Sequence, residues 1–140
     1  MPATPTGTIL VVEDEDGVRV ALRRQLTARG HTVLEASHGA EALEVVRMRR
    51  GNLDLVLSDV VMPEMNGTEL AATLGRDFPG LPVILMSAYA PAGLTQVGPG
   101  KHSVPVLQKP FAPGQLEELV VVALDMQGRR RRESRTPAPL

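Results

Sequence analysis

Cysteine is absent from the 140 residues, so neither a disulfide framework nor a thiolate metal site is available, and a reducing cytosol is the easiest compartment to infer. No apolar run approaches the roughly 20 residues needed to cross a bilayer. The opening MPATPTG lacks the basic start and apolar middle of a signal peptide. The expectation is a cytoplasmic domain without membrane insertion. Glycine is plentiful but is not arranged to cradle phosphate. VVEDEDG, after the first apolar run, contains neither GxGxxG nor GxxxxGK followed by Ser or Thr, which argues against a bound nucleotide. Paired metal-ligating histidines are missing too: His31, His38 and His102 stand apart, and each reads as an ordinary surface or packing residue.

What is present suits one globular domain, since 140 residues at 43% hydrophobic composition fall within the usual domain size. Charge is unevenly spread. Residues 126–140 hold five arginines and one glutamate, a net of +4 against a chain total of −1, so the remainder carries −5. The short arginine run, Arg129 to Arg132, leads into ESRTPAPL and reads as a solvated, disordered tail rather than a nucleic-acid site. Three parts are therefore expected: a flexible segment 1–7, a folded domain 8–125 and a basic tail 126–140.

Five short runs rich in Val, Ile and Leu recur, at 8–12, 31–36, 53–58, 81–87 and 103–108, separated by segments with helical spacing. The last of these segments places Leu116, Leu119, Val120, Ala123 and Leu124 on one stripe. Asn66 with Glu69 resembles a capping box, Pro113 fits a first helical turn, and Gly30 and Gly51 stand where helices should stop. The first, third and fourth runs are apolar almost throughout, as in strands covered on both faces. The pattern predicts an α/β fold, a doubly wound five-stranded parallel sheet with five helices. In such sheets the site lies beyond the carboxyl ends of the strands, where strand order reverses.

Glu13 and Asp14 follow the first strand, Asp59 the third, Ser87 the fourth and Lys109 the fifth. Three carboxylates on one rim repel one another unless a cation sits between them. An all-oxygen set suits a hard ion, with Mg²⁺ the natural choice. A hydroxyl and an ammonium beside such a cluster suggest phosphate chemistry by positioning and charge stabilisation. With no nucleotide loop, a carboxylate nucleophile forming an acyl phosphate is the reading that remains.

The ordered set LVVEDE, LVLSDVVMPEMNG, VILMSAYA and LQKPF resembles the receiver domain of two-component response regulators, over roughly residues 8–125. The resemblance implies a flavodoxin-like (βα)5 fold with strand order 2-1-3-4-5. It implies that Asp59 is the phosphoacceptor and that Asp14 binds Mg²⁺ directly. Glu13 would help through metal-bound water, and Val61 would supply a backbone carbonyl. Ser87 would move to the phosphoryl group, small Ala88 would keep Asp59 accessible, and Lys109 would pair with Asp59 and later with phosphate. The bond before Pro110 is generally cis in the family, and Val61 and Tyr89 hold positions that tune hydrolysis of the acyl phosphate. The implied phosphodonor is a sensor histidine kinase or a histidine phosphotransfer domain, acting on a switch whose downstream protein is unknown.

The sequence departs from the family on the output side. Val106 stands where an aromatic residue is common, and residues 90–104 contain Pro91, Gly93, Gly98, Pro99 and Gly100, each unfavourable inside a helix. A short, irregular or missing fourth helix is expected there. Pro105 predicts an edge position for the fifth strand. In these features the chain looks most like receivers of hybrid histidine kinases, with a monomer favoured, no nucleic acid expected and no DNA-binding output domain. The alternative is a Mg²⁺-dependent aspartyl-phosphate phosphohydrolase on a similar fold. Such an enzyme uses a second acid two residues after the nucleophile, where this chain has Val61.

Overall fold

The computed structural model describes residues 5–88, 96–97 and 104–135. Strands β1 (Thr8–Val12), β2 (Thr32–Ala36), β3 (Leu55–Asp59), β4 (Val83–Ser87) and β6 (Val104–Gln108) pair in parallel, and the two-residue β5 (Gln96–Val97) pairs antiparallel with β6. The sheet order is β2-β1-β3-β4-β6-β5. The five parallel strands thus take the expected 2-1-3-4-5 order. The addition is β5, which puts Pro105 opposite Gln96 and so takes the strand of Pro105 off the sheet edge. Alternate positions of an antiparallel pair exchange no hydrogen bonds, which is how a proline can face a neighbour there. Apart from β5 and Val104, the segment 90–104 expected to hold a fourth helix lies outside the described residues, as do Tyr89 and His102.

Helices α1 (Asp16–Ala28), α2 (Gly39–Met48), α3 (Gly67–Asp77) and α4 (Pro113–Arg135) cover both faces. Successive strand residues point to opposite sides of a sheet, so the core splits in two. Ile9, Val11, Leu55 and Leu57 meet α1 and α4 through Leu22, Leu26, Leu116 and Val120. Leu10, Val12, Val56 and Leu85 meet α2 and α3 through Leu43, Val46, Leu70 and Leu74. Because β1 lies between β2 and β3, the winding direction reverses there, and the crevice opens between the carboxyl ends of β1 and β3.

Local signals act at the helix ends. The Asn66 side chain accepts from Glu69 N–H at 2.8 Å. His38 caps α2 through Nδ1, which accepts from Glu41 N–H at 3.1 Å. The Gln115 side chain accepts from Ala112 N–H at 2.8 Å, tying the start of α4. Gly30 and Gly51 take φ of 93° and 73°, the left-handed conformation that ends a helix without steric cost. His31 is buried, with Nδ1 accepting from Gly7 N–H at 3.3 Å.

One boundary is corrected. The segment 126–140, read as a disordered tail, is helical as far as Arg135. Arginine is a good helix former, no proline intervenes before Pro137, and buried Gln127 carries the packing of α4 past residue 125.

Candidate functional site

The rim of the sheet brings together residues from distant parts of the chain. β1 runs through four fully buried residues, Ile9 to Val12, into Glu13, itself 0% exposed. Glu13 N–H donates to the Ala36 carbonyl at 3.1 Å, which extends the β1–β2 ladder by one residue. Asp14 is the first exposed residue of the loop. Asp59 closes β3, and Val60 N–H still donates to the Met86 carbonyl at 2.9 Å, so the chain is held to β4 until just past the acid. Carboxylate oxygens of Glu13, Asp14 and Asp59 all lie within 4.8 Å of one another.

Lys109 reaches into this cluster. Its Nζ donates to Glu13 Oε2 at 2.9 Å and stands 3.4 Å from Asp59 Oδ2. The sequence points to Asp59 as the partner of Lys109, whereas in the folded chain the shorter contact is to Glu13. The Lys109–Pro110 bond is cis, and Lys109 N–H donates to the Ser87 carbonyl at 2.8 Å, aligning the ends of β4 and β6. Ser87 is buried at the end of β4, and Ala88 beside it is exposed. Ala88, Lys109, Pro110 and Phe111 line an open depression with Val18 of α1.

The loop after Asp59 turns sharply. Val61 is 62% exposed, while Met62 is tucked into the core. Glu64 takes φ of 68°, uncommon outside glycine, and Gly67 N–H closes the loop onto the Val60 carbonyl at 2.7 Å.

Electrostatics follow from this crowding. Burial pushes the Glu13 carboxyl above its usual range, and the neighbouring charge of Asp59 adds to that rise against the opposing pull of Lys109. For Lys109, burial is the largest single influence and acts downward, but Glu13 and Asp59 together outweigh it and raise the ammonium above its usual value. A buried carboxyl raised in this way beside further negative charge is one that a cation would stabilise. The donors are all oxygen and partly open to solvent, which fits Mg²⁺, an ion that keeps several of its waters.

Arg19 is not among the candidate site residues that the sequence singles out. Its Nη1 donates to the Glu13 carbonyl oxygen at 2.8 Å, its Nη2 to Asp16 Oδ1 at 2.5 Å, and its Nε lies 3.4 Å from Glu35 Oε1. Nothing in helical periodicity signals a bond from α1 back to the preceding strand.

Comparison with known proteins finds relatives in both sequence and fold. Residues 9–121 match the response regulator receiver domain. Sensor kinase CckA of Brucella abortus is 42% identical over 122 residues, 87% of this chain and 13% of that protein. Response regulator MprA of Mycobacterium ulcerans is 38% identical over 112 residues, 80% of this chain and 46% of that protein. The chain therefore spans between about an eighth and a half of these two relatives. Among solved structures, the receiver domain of hybrid histidine kinase CckA is 39% identical with a TM-score of 0.70, covering 84% of this chain and 99% of that one. The response regulator TrrA of Thermotoga maritima, in complex with Mg²⁺-BeF, is 31% identical with a TM-score of 0.71, covering 84% and 98%.

Proposed function

Because the chain belongs to the response regulator receiver family, we propose that it is a phosphoacceptor switch in which Asp59 takes a phosphoryl group from a phosphohistidine of a sensor kinase or phosphotransfer domain. The observation that carries this reading is the meeting of three carboxylates and one ammonium from the ends of β1, β3 and β6. The TrrA relative, solved with Mg²⁺-BeF, supports a place for both metal and phosphoryl group.

In this mechanism an Asp59 carboxylate oxygen forms the bond to phosphorus as the phosphohistidine N–P bond breaks, and the imidazole leaves with the bonding pair. Asp14, Asp59 and the Val61 carbonyl would hold the metal, with Glu13 assisting. Bound there, Mg²⁺ would neutralise phosphoryl oxygens and relieve the repulsion among the acids. Lys109, already poised between Glu13 and Asp59, shifts its ammonium to a phosphoryl oxygen, and the Ser87 hydroxyl donates to another. Exposed Ala88 leaves the approach open, and the depression running from Lys109 to Val18 suits the donor domain.

Withdrawal of Ser87 and Lys109 toward the phosphoryl group biases the arrangement of β4 and β6, where a downstream protein reads the state. With Val106 at the usual aromatic position, an aromatic rotamer does not carry that signal. The protein catalyses only its own phosphorylation and dephosphorylation, Val61 and Tyr89 setting how long the acyl phosphate lasts.

Incubation with Mg²⁺ and acetyl phosphate, read by intact mass, tests this. One stoichiometric phosphoryl group, absent in Asp59→Asn and without Mg²⁺, is the expected result. Multiple turnover of the donor would move the assignment to a phosphohydrolase, and no label under any condition would sink both.

A further inference from the structure

We propose that Arg19 is a positioning residue for the acidic cluster, setting its affinity for Mg²⁺ by holding the Glu13 carbonyl; this rests on the metal-binding reading above. Glu13 makes the last backbone bond between the β1 strand line and β2, and the chain then leaves the sheet. Its carbonyl belongs to the peptide that joins Glu13 to Asp14, so whatever fixes that carbonyl fixes the plane from which both carboxylates project. Arg19 Nη1 holds it at 2.8 Å.

A second tie on this loop, Glu15 N–H donating to Glu13 Oε1, is longer at 3.3 Å and holds the side chain rather than the connecting peptide. Glu15, the N-cap residue of α1, makes no side-chain cap bond. The guanidinium instead spans three elements, with Nη1 on the strand end, Nη2 on Asp16 in the first turn of α1 and Nε toward Glu35 on β2. Only 16% of its side chain is exposed. A planar fork of fixed donors can make such a span, whereas a lysine ammonium is a single point on a flexible stem. Partners that orient metal ligands from behind commonly change metal affinity by about 10–100-fold when lost.

The sign of the effect separates positioning from charge. Deleting a cation near an acidic cluster should, by Coulomb's law alone, strengthen Mg²⁺ binding. Loss of positioning weakens it. Arg23 supplies the control, since its Nη1 lies 3.1 Å from Glu35 Oε2 and shares that carboxylate with Arg19.

The test is a Mg²⁺ titration of the full chain followed by NMR shifts of the backbone amides of residues 13–16 and 59, with urea unfolding of the metal-free protein alongside. Arg19→Met is expected to weaken Mg²⁺ binding about tenfold, Arg19→Lys to recover only part of the loss, and Arg23→Met to stay within about twofold of wild type. Mg²⁺ affinity in Arg19→Met equal to or tighter than wild type would overturn the proposal, as would an equal loss in Arg23→Met. If Arg19→Met does not fold, Arg19→Lys decides: wild-type affinity there overturns it. A wild-type protein that binds no Mg²⁺ would overturn the metal-binding reading itself, an outcome distinct from unchanged binding in the variants.

Discussion

Gly67 is where the fold and the candidate site share a single atom's worth of space. A β-carbon built there would lie 2.2 Å from the Asp59 carbonyl oxygen, 2.9 Å from Val60 Cα and 3.0 Å from the Asp59 carbonyl carbon. All three are backbone atoms, so no rotamer change relieves the overlap, and roughly 1 Å of separation has to open between the end of β3 and the start of α3. The bond that closes the loop, Gly67 N–H to the Val60 carbonyl at 2.7 Å, would stretch with it. Overpacking of this kind costs about 1–3 kcal/mol, and the hydrogen bond about 1 more, so Gly67→Ala should destabilise by roughly 2–4 kcal/mol. Gly75, in the same helix, has nothing within 4 Å of such a β-carbon. Gly75→Ala should therefore stabilise by about 0.5–1 kcal/mol through helix propensity alone. Urea unfolding followed by far-UV circular dichroism measures both. A Gly67→Ala variant within about 0.5 kcal/mol of wild type would refute the claim that this contact is rigid. Gly67→Ala should also weaken Mg²⁺ binding, because the atom displaced belongs to Asp59.

Further expectations concern the charges and the caps. Glu13 has a folded-state pKa raised above that of the unfolded chain, mainly by burial, so between those two values the folded protein binds more protons. Stability of the metal-free protein attributable to Glu13 should fall as pH rises through that window, and a urea series comparing wild type with Glu13→Gln should show the difference vanish below it. Mg²⁺ affinity should run the opposite way and rise with pH over the same window, because the ion needs the carboxylate. Lys109 contributes on the alkaline side. Its raised folded pKa means stability fully present below its unfolded value and lost as pH climbs through the folded one, which Lys109→Met should abolish. Asn66→Ala should cost about 1 kcal/mol in urea unfolding by leaving Glu69 N–H without its cap.

The sheet and its rim are legible in the order of residues. Continuous apolar runs at 8–12, 53–58 and 81–87 announced strands buried on both faces, and the polar residues ending them, Glu13, Asp14, Asp59 and Ser87, marked where the core stops and the crevice begins. Such features are local, because a strand's burial and a helix cap such as Asn66 are written in neighbouring residues. Which groups touch depends on the folded chain. Lys109 lies closer to Glu13 than to Asp59, Arg19 turns inward to a carbonyl that its helical position does not reveal, β5 covers the strand of Pro105, and α4 continues to Arg135. Nothing in the residues around Gly67 reveals that the Asp59 carbonyl oxygen lies 2.2 Å from where its β-carbon would be. Periodicity says which face of an element is buried, but distances across 96 residues of chain, as between Glu13 and Lys109, depend on strand order and register, which exist only once the whole sheet has closed.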